Sequence, residues 1–367
     1  MKTLPNITSL RFVLALLVVL FHIPQFFKNR GFPFFDNLPF FHKGAEAVYM
    51  FFSLSGFLII RQLYIEKTNS NSIDLKAFFL RRILRIFPLY YLVLGFGFLY
   101  YRIILPELGY AFESNYDLWY GIFLTVTFFP NIFCSFQPGG IIEILWSIGI
   151  EEQFYILIAP LFFLIPIKRI IPFIGFFTIV YFATFFSEFA PFLKDYSMYF
   201  FYFSFSGLCS ILLIKSNLNV ILDRLKLPLF FIFILYFSTS IFFDNFQEIY
   251  YHLFSMILFG VVICIFVSKP IPFFENNKMR YLGKISYGIY MLHAIMMQLV
   301  GFVYLKFLIN LNFPNYLLIL ISNILIVGFT ILAAHFSYKY YESYFLNLKV
   351  KFYSKGTLKG ITKNPEI

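Results

Sequence analysis

The sequence predicts an all-α fold, a polytopic bundle of transmembrane helices, and two observations support this. Hydrophobic residues make up 60% of the 367 residues, charged residues only 13%, and the mean hydropathy is +0.79, far above the range of soluble globular proteins. Apolar runs of about 17–25 residues, long enough for a bilayer core of roughly 30 Å, also recur along the chain. The eleven segments are residues 9–27, 45–62, 84–104, 118–134, 146–166, 170–187, 197–214, 228–243, 252–268, 285–308 and 316–341.

The distribution of lysine and arginine predicts how these segments are oriented. Basic residues follow the second, fifth, seventh, ninth and last segments, and the positive-inside rule places those regions in the cytoplasm. Successive spans must alternate in direction across the membrane. This alternation agrees with the cytoplasmic regions only if one of the third, fourth and fifth segments does not cross. The best candidate is 118–134, which contains Pro130 and Asn131 and runs into FQPGG at 136–140. We therefore expect ten spans plus one re-entrant or half-membrane segment, with both termini cytoplasmic.

This pattern leaves room for one membrane domain, residues 1–345, followed by a short cytoplasmic tail, residues 346–367. Three cysteines, Cys134, Cys209 and Cys264, lie in or at the end of apolar runs without paired spacing. We therefore expect neither a disulfide framework nor a metal site. Much of the net charge of +11 lies in the cytoplasmic loops, so it does not require a nucleic acid partner.

The first apolar segment, LRFVLALLVVLFH at 10–22, carries Arg11 at one end and His22 at the other. Eleven steps of about 100° return the two residues to one face of a helix, displaced by roughly 16 Å. With Arg11 at the cytoplasmic headgroups, His22 lies in the far half of the bilayer, where a polar side chain needs a polar interior or a wet cavity. A neutral imidazole could act there as a general base toward a hydroxyl group. The alternative is a histidine that only packs between helices near the outer surface.

A basic cluster follows in FFLRRILRIFPLYY at 78–91, which contains Arg81, Arg82 and Arg85. Spacings of three and four residues bring these side chains together at the cytoplasmic mouth of the third helix. Guanidinium groups stay charged and bind phosphate bidentately, so the cluster suits a phosphate-rich ligand. The positive-inside rule explains the same residues as topological anchors.

Glu151 and Glu152 lie beside a tryptophan in LWSIGIEEQFYILIAP at 145–160. Adjacent residues point to different helix faces, so we expect at least one carboxylate to face the bundle interior. There it could orient a histidine, pair with an arginine or bind a sugar hydroxyl. The alternative is that the two acids favour a helix start through the peptide dipole.

Two further stretches carry polar residues whose roles remain open at this point. YLGKISYGIYMLH at 281–293 buries His293 about two helical turns into an apolar run, and packing explains this histidine as well as function does. His335 and Glu342 in AAHFSYKYYESYF at 333–345 close the last span and could be structural.

In their order along the chain, these motifs resemble those of membrane acyltransferase family 3, whose members O-acylate sugars of lipopolysaccharide, exopolysaccharide and nodulation factors. The resemblance extends from residue 10 to about 345, and the ordered set is specific although each motif alone is weak. The matching motifs are LRFVLALLVVLFH with its arginine, ten residues, histidine pattern, FFSLSGFLI at 51–59, RRILRIFPLYY at 81–91, LWSIGIEEQFYILIAP, LGKISYGIYMLH and SYKYYE at 337–342.

The resemblance implies an integral enzyme of the bacterial inner membrane. It implies transfer of an acyl group, expected to be acetyl, from cytoplasmic acyl-CoA to a hydroxyl of a carbohydrate, which could be lipid-linked. Acyl-CoA would be a co-substrate, and no metal is expected. Membrane lipids surround such a protein, and its oligomeric state stays open.

The resemblance also implies roles for individual residues. His22 would be the essential histidine, Arg11 its partner, and Glu151 the motif glutamate that follows the tryptophan. Arg82 with Arg85 would be the arginine pair that engages coenzyme A. Because a thioester is already activated, such a protein mainly has to position it, deprotonate the acceptor hydroxyl and stabilise the oxyanion.

The chain departs from the family at one position and also fits other classes of protein. Many members carry an acidic residue where this chain has Tyr49, and Glu46 a few positions earlier could replace it. A transporter or flippase of a lipid-linked glycan would share the many spans and buried charges without transferring an acyl group. A structural subunit of a polysaccharide export machine is a further alternative. Release of a free thiol from acyl-CoA distinguishes the enzyme from both.

Overall fold

The computed structural model describes residues 4–110, 112, 115–216, 219–311 and 313–349. Every regular element within these ranges is a helix, which confirms the predicted all-α fold. Of the tail predicted at 346–367, only the first four residues belong to the described ranges.

Twelve helices of eight or more residues form the described bundle. They are α1 (Ile7–Lys28), α2 (Gly44–Ser70), α3 (Leu75–Leu99), α4 (Leu118–Val126), α5 (Trp146–Leu164), α6 (Ile170–Phe185), α7 (Phe200–Lys215), α8 (Asn219–Ser238), α9 (Glu248–Ser268), α10 (Asn277–Lys284), α11 (Ser286–Lys306) and α12 (Asn315–Ser337). Shorter helical turns lie at Pro39–His42, Tyr100–Ile104, Leu105–Glu107, Pro130–Phe133, Cys134–Phe136, Gly140–Glu143, Ile167–Arg169, Pro191–Asp195, Ile241–Asn245, Pro272–Glu275, Leu308–Leu311, Tyr338–Glu342 and Ser343–Lys349.

Eight helical stretches in the described ranges are long and apolar enough to cross a bilayer. They are Ile7–Lys28, Gly44–Ser70, Leu75–Glu107, Gly140–Leu164, Ile167–Phe185, Glu248–Ser268, Ser286–Lys306 and Asn315–Leu348. The other two of the ten predicted spans fall on α7, which is shorter at 16 residues, and on α8, which carries Asp223, Arg224 and Lys226 in its first half. The polytopic bundle is thus confirmed.

The sequence predicts that the segment 118–134 does not cross the membrane, and in the structure this segment is not one continuous helix. Its longest helix, α4, has nine residues, or about 14 Å of a bilayer core of roughly 30 Å. The chain then turns at Phe128, whose φ is 64°. Tyr90 donates a hydrogen bond to the Thr125 carbonyl at 2.7 Å, and Gln153 donates one to the Phe128 carbonyl at 2.7 Å. Side chains of α3 and α5 therefore satisfy the carbonyls that the break leaves open.

The helices that carry the motifs meet at the centre of the bundle. α1 packs on α2 and α11, while α5 contacts α2 and α3. α7 packs closely on α2, and Gly56 permits this because a Cβ there would lie 2.1 Å from the Phe203 carbonyl oxygen. On α6, large side chains such as Phe176 and Ile179 remain exposed, as expected of a lipid-facing surface.

Lys67 shows how α2 is joined to α5. Its side chain is buried, and its ammonium group donates hydrogen bonds to the carbonyls of Phe162 at 2.5 Å, Phe163 at 3.0 Å and Ile165 at 2.5 Å. The last carbonyls of a helix have no partner within the helix, and a cation there is also favoured by the helix dipole. Lys67, one of the predicted positive-inside residues, thus caps the C-terminus of α5.

Candidate active site

Four of the predicted site residues line one cavity of about 90 Å³, which we call the basic cavity. Its polar lining includes Arg11 from α1, Ser55 from α2, Arg82 and Arg85 from α3, and Glu151 and Tyr155 from α5. Residues that are far apart in sequence therefore share one space, because their helices meet at the centre of the bundle.

The Glu151 carboxylate is held in this cavity by two hydroxyl groups. Ser55 donates to one oxygen at 2.9 Å and Tyr155 donates to the other at 2.8 Å. Glu152 is buried on another face of α5 and does not line the basic cavity. The two hydroxyl donors carry no charge, so Glu151 is, among the described residues, the one acidic group that lines this cavity.

The arginines give the basic cavity an excess of positive charge. Three guanidinium groups line it against the one carboxylate of Glu151, which leaves two net positive charges. Arg82 donates to the Gln62 side chain at 3.2 Å and lies 5.7 Å from the centre of the Tyr155 ring. Within the described residues, neither Arg11 nor Arg85 has a carboxylate oxygen within 4.0 Å. Such a cavity can bind a ligand with several negative charges.

Two residues considered for the site lie elsewhere in the structure. Arg81 turns toward Glu66, with 3.6 Å between the charged groups, and does not line the basic cavity. Glu46 accepts hydrogen bonds from Lys43 at 3.2 Å and from Tyr251 at 2.8 Å. It lines neither the basic cavity nor the cavity that contains His22.

His22 lines a second and larger cavity of about 530 Å³, which we call the histidine cavity. Its Nδ1 lies 3.3 Å from the amide oxygen of Gln25. The His293 ring stacks on the His22 ring, with 5.2 Å between the ring centres and 26° between the planes. Sequence reasoning left His293 open and missed Gln25, which is three residues after His22 and therefore on the same helix face.

The hydrogen bonds of the two histidines indicate which ring nitrogen carries the proton. Nδ1 of His293 is paired with the Tyr290 carbonyl, which can only accept, so this nitrogen donates. Nδ1 of His22 faces the Gln25 amide oxygen, and with the amide in this orientation Nδ1 is assigned as a donor. Each neutral ring therefore presents an unprotonated Nε2, the nitrogen that can take a proton from a hydroxyl group.

One wall of the histidine cavity combines aromatic and polar groups. The Arg30 guanidinium lies 3.8 Å from the centre of the Phe26 ring and donates to the Gln298 amide oxygen at 2.7 Å. Tyr100 donates to the same oxygen at 3.1 Å. Burial lowers the pKa of Arg30 from its ordinary value, yet arginine stays protonated in proteins. Apolar rings with a few oriented polar groups are typical of pockets for small molecules.

Another part of the wall is built by the FQPGG stretch, which the sequence indicated only as a break in the helix. Gly139 has a φ of 101°, and a Cβ on it would lie 2.3 Å from the Tyr101 ring. The Gly139 amide donates to the Glu143 carboxylate at 3.3 Å, while a Cβ on Gly140 would face open space. Glu143 and Gly140 both line the histidine cavity, so this turn presents a carboxylate and an uncovered backbone to a ligand.

The two cavities adjoin along the same helices. On α11, Tyr290 lines the basic cavity and His293 lines the histidine cavity. At the start of α5, Ser147 lines the basic cavity, and Ile144, which lies just before this helix, lines the histidine cavity. Three residues of helix correspond to about 4.5 Å. Tyr290 donates to the Ile144 carbonyl at 2.9 Å, so Ser147, 2.7 Å from the same hydroxyl, donates to Tyr290. This hydrogen-bonded bridge joins residues that line the two cavities.

The remaining polar residues of the closing motif lie outside both cavities. Nδ1 of His335 pairs with the Tyr281 hydroxyl, and Glu342 accepts from Ser337 at 2.9 Å. Within the described ranges, no group of three or more His, Cys, Asp or Glu side chains is placed so that it could hold a metal ion.

Comparison with known proteins identifies relatives along the whole described bundle. A family model described as an acyltransferase domain matches residues 4–334. ORF330 of Acidianus two-tailed virus, named as a candidate acetyltransferase, is 28% identical over 309 residues, which are 82% of this chain and 85% of that protein. No solved structure matches.

The names of two relatives include a substrate, peptidoglycan. The peptidoglycan O-acetyltransferase OatA of Listeria monocytogenes is 32% identical over 174 residues, and YrhL of Bacillus subtilis, named as a candidate peptidoglycan O-acetyltransferase, is 30% identical over 171 residues. These matches cover 46% and 45% of this chain but only 25% and 24% of the relatives. The family model, in contrast, spans nearly all of the described helices. This integral membrane protein therefore belongs to membrane acyltransferase family 3.

Proposed function

We propose that this protein transfers an acyl group, acetyl in the simplest case, from acyl-CoA to a hydroxyl of a cell-surface or exported carbohydrate. The observation that carries the proposal is the pair of adjoining cavities, one basic and one lined by two imidazoles, whose lining residues are joined by a hydrogen-bonded bridge. Family membership supports the acyl transfer, and the names of the peptidoglycan relatives support a carbohydrate acceptor.

The basic cavity is the proposed site for the anionic part of the donor. Coenzyme A carries phosphate groups, and the guanidinium groups of Arg11, Arg82 and Arg85 are the cations that line the cavity. Arginine binds phosphate through two parallel hydrogen bonds and remains charged when partly buried. The volume of about 90 Å³ is too small for the whole cofactor, so the cavity would hold one part of it while the thioester arm points toward the bridge.

The histidine cavity is the proposed acceptor site. Its volume of about 530 Å³ falls in the range of small-molecule pockets. Phe26 and Tyr101 offer ring faces to the apolar side of a sugar, while Gln298, Arg30 and Glu143 offer hydrogen-bonding groups to its hydroxyls. A lipid carrier attached to the sugar would remain outside in the bilayer.

His22 is the proposed general base. Its Nε2 takes the proton of the acceptor hydroxyl as the hydroxyl oxygen forms the new bond to the acyl carbon, and the carbon–sulfur bond breaks. The protonated ring then returns this proton to the thiolate of coenzyme A. Gln25 keeps Nδ1 engaged, so the free Nε2 faces the substrate and the ring does not change tautomer.

The cavities also suggest an orientation in the membrane. Acyl-CoA is a cytoplasmic metabolite, so the basic cavity would open toward the cytoplasm and the histidine cavity toward the opposite face. This orientation agrees with the positive-inside rule for Arg81, Arg82 and Arg85. We therefore propose that the protein lies in a bacterial inner membrane with both termini on the cytoplasmic side.

Purified protein in proteoliposomes tests the proposal. With acetyl-CoA and a panel of glycans that includes peptidoglycan fragments, we expect glycan-dependent release of free thiol and a glycan heavier by one acetyl group in mass spectrometry. The His22→Gln variant, checked for insertion and folding, should show no glycan-dependent release of thiol. A transporter or flippase would move the glycan without consuming the thioester, and that result would overturn the proposal.

A further inference from the structure

His293 is a second imidazole at the reaction site for which the proposed reaction has no role. Its relative exposure is 0%, and it lines the histidine cavity beside His22. Within the described residues, its Nε2 has no hydrogen-bond partner. A buried polar atom without a partner destabilises the folded protein, so its presence needs an explanation.

The geometry of His293 leaves one nitrogen available for bond formation. Nδ1 is engaged by the Tyr290 carbonyl, so Nε2 carries the lone pair. A lone pair without a hydrogen bond is a better nucleophile than a solvated one, because no donor has to be displaced before it attacks. Imidazole nitrogen is among the groups that form covalent intermediates in enzymes.

The position of His293 favours contact with the donor. On α11 it is the first residue of the histidine cavity, and Tyr290, three residues earlier, lines the basic cavity. A thioester that passes the bridge from the basic cavity therefore meets His293 at the start of the histidine cavity. The rest of that cavity, toward Gln298 and Arg30, stays available to the acceptor.

The two stacked rings differ in their surroundings. His22 is only partly buried and is paired with a side chain, whereas His293 is fully buried and is paired with the backbone. A base has to exchange its proton with an incoming hydroxyl, which suits the more accessible ring. A nucleophile that carries an acyl group has to be shielded from water, because an acyl-imidazole is hydrolysed readily.

We propose that acyl transfer proceeds in two steps through an acyl group carried on Nε2 of His293. This inference rests on the proposed function. In the first step Nε2 attacks the thioester carbon, the carbon–sulfur bond breaks and coenzyme A leaves as a thiolate. In the second step the acceptor hydroxyl oxygen attacks the same carbon while His22 takes its proton, and the carbon–nitrogen bond breaks. The His22 imidazolium finally protonates the thiolate, so both rings return to their starting states.

Cys134 is another nucleophilic side chain near this cavity, but its setting does not suit the role. Its thiol donates to the Glu143 carbonyl at 3.4 Å, and Cys134 does not line the histidine cavity. Burial raises the pKa of Cys134 to about 12. The thiolate, which is the reactive form, is therefore scarce at neutral pH.

Isotope exchange without any acceptor tests the covalent step. Purified protein in proteoliposomes is incubated with unlabelled acetyl-CoA and isotope-labelled free coenzyme A, and labelled acetyl-CoA is measured by mass spectrometry. A covalent intermediate predicts exchange in the absence of glycan. We expect His293→Gln to lower the exchange rate on the order of 10³-fold or more. His22→Gln should keep the exchange and lose transfer to glycan, because only the second step needs a proton acceptor.

Controls separate this inference from the proposed function. The matched histidine control is His335→Gln, on α12 and outside both cavities, which should exchange like the wild type. If the wild type acetylates glycan but shows no exchange, transfer is direct and the inference fails while the proposed function stands. If it shows neither exchange nor thiol release with any glycan, both fail.

A direct search for the adduct covers the case in which His293→Gln does not fold. Wild-type protein incubated with acetyl-CoA alone, quenched rapidly and digested, should yield an acetylated peptide from 286–306 that loses the acetyl group in hydroxylamine. A stable acetyl group recovered on a different residue would overturn the assignment to His293.

Discussion

The two cavities at the centre of the bundle differ in size and in charge. The basic cavity encloses about 90 Å³ and contains three guanidinium groups and one carboxyl group. The histidine cavity encloses about 530 Å³ and presents two imidazoles, amides and aromatic rings, with one guanidinium group, Arg30, balanced by one carboxyl group, Glu143. The same helices, α1 and α11, line both. The difference therefore arises from which residues face inward at each end of a helix. Under the proposed function, one end of each helix contacts the donor and the other end contacts the acceptor.

This division keeps the guanidinium groups of the basic cavity away from the imidazole that is proposed to accept a proton. A cluster of three guanidinium groups close to an imidazole would oppose its protonation, since like charges interact strongly at low dielectric. In the part of the chain that the structure describes, the histidine cavity contains a single guanidinium group, Arg30, together with the carboxyl group of Glu143. Eleven residues of α1, about 16 Å of helix, separate Arg11 from His22. A cavity for a polyanion and a base that must become a cation can therefore coexist in one bundle.

The largest effect is expected from removing the proposed general base, which should abolish the function of the histidine cavity and leave the basic cavity intact. In His22→Gln the polar contact to Gln25 can persist, but no nitrogen can accept the hydroxyl proton. Glycan acetylation should fall by about 10²–10⁴-fold, while the affinity for coenzyme A in calorimetry stays unchanged because the basic cavity is intact.

A surface histidine provides the control for that prediction. His42 is exposed and pairs with the Asp36 carbonyl at 2.8 Å, so His42→Gln should retain the wild-type rate. Full activity of a well-folded His22→Gln variant would remove His22 from the reaction.

Loss of the guanidinium groups tests the other cavity. Arg82→Gln and Arg85→Gln each remove a cation from the basic cavity. A hydrogen bond to a charged group contributes about 1.5–3 kcal/mol, so each change should weaken coenzyme A binding by roughly ten- to hundredfold. Calorimetry with coenzyme A measures the affinity directly.

Arg81 is the matched control for those two variants. It is adjacent in sequence and carries the same charge, but it turns toward Glu66 and away from the cavity. Arg81→Gln should change the affinity for coenzyme A by much less. Equal losses from all three arginines would mean that the cluster acts through its total charge, as the positive-inside rule alone would have it.

The sequence predicts the basic cavity better than the histidine cavity, for a physical reason. Charged residues are rare in apolar runs, so Arg11, Arg82, Arg85 and Glu151 stand out before the fold is known. Helix geometry also predicts that Glu151 and Glu152 point apart. That three separate helices bring these residues into one space depends on tertiary packing, which no local pattern contains.

The histidine cavity is built from residues with weak sequence signals. Glu143 and Gly140 enter it through a turn that the FQPGG stretch indicates only as a break in the helix. The role of His293 becomes apparent only from its stacking on His22 and its unpartnered Nε2. An isolated histidine in an apolar run does not distinguish packing from chemistry, because its hydrogen bonds come from distant parts of the chain.

A smaller effect on activity is expected from a substitution that narrows only the histidine cavity. Gly140 lines the histidine cavity, and a Cβ there meets no atom within 4 Å. Gly140→Val should therefore occupy space meant for the acceptor and raise the KM for glycan by roughly tenfold, with the KM for acetyl-CoA unchanged. Steady-state rates with each substrate varied in turn measure both constants.

Gly95 provides a control for a valine substitution outside the cavity. A Cβ on Gly95 of α3 would also have no neighbour within 4 Å, yet Gly95 lines neither cavity. Gly95→Val should leave both KM values unchanged. Equal changes in both KM values in Gly140→Val would show instead that valine disturbs the bridge between the cavities.

The smallest effect on catalysis is expected from a change outside both cavities. Lys67→Met keeps most of the apolar side chain but removes the ammonium group that caps the last carbonyls of α5. Leaving these groups unpaired should lower the free energy of unfolding by about 1–3 kcal/mol, seen as a lower melting temperature in detergent micelles. Lys194→Met, which breaks an exposed pair with Glu248, should lower it by only about 0–1 kcal/mol. Because α5 carries Glu151 and Ser147, a large loss of kcat in folded Lys67→Met would instead mean that the cap positions both cavities.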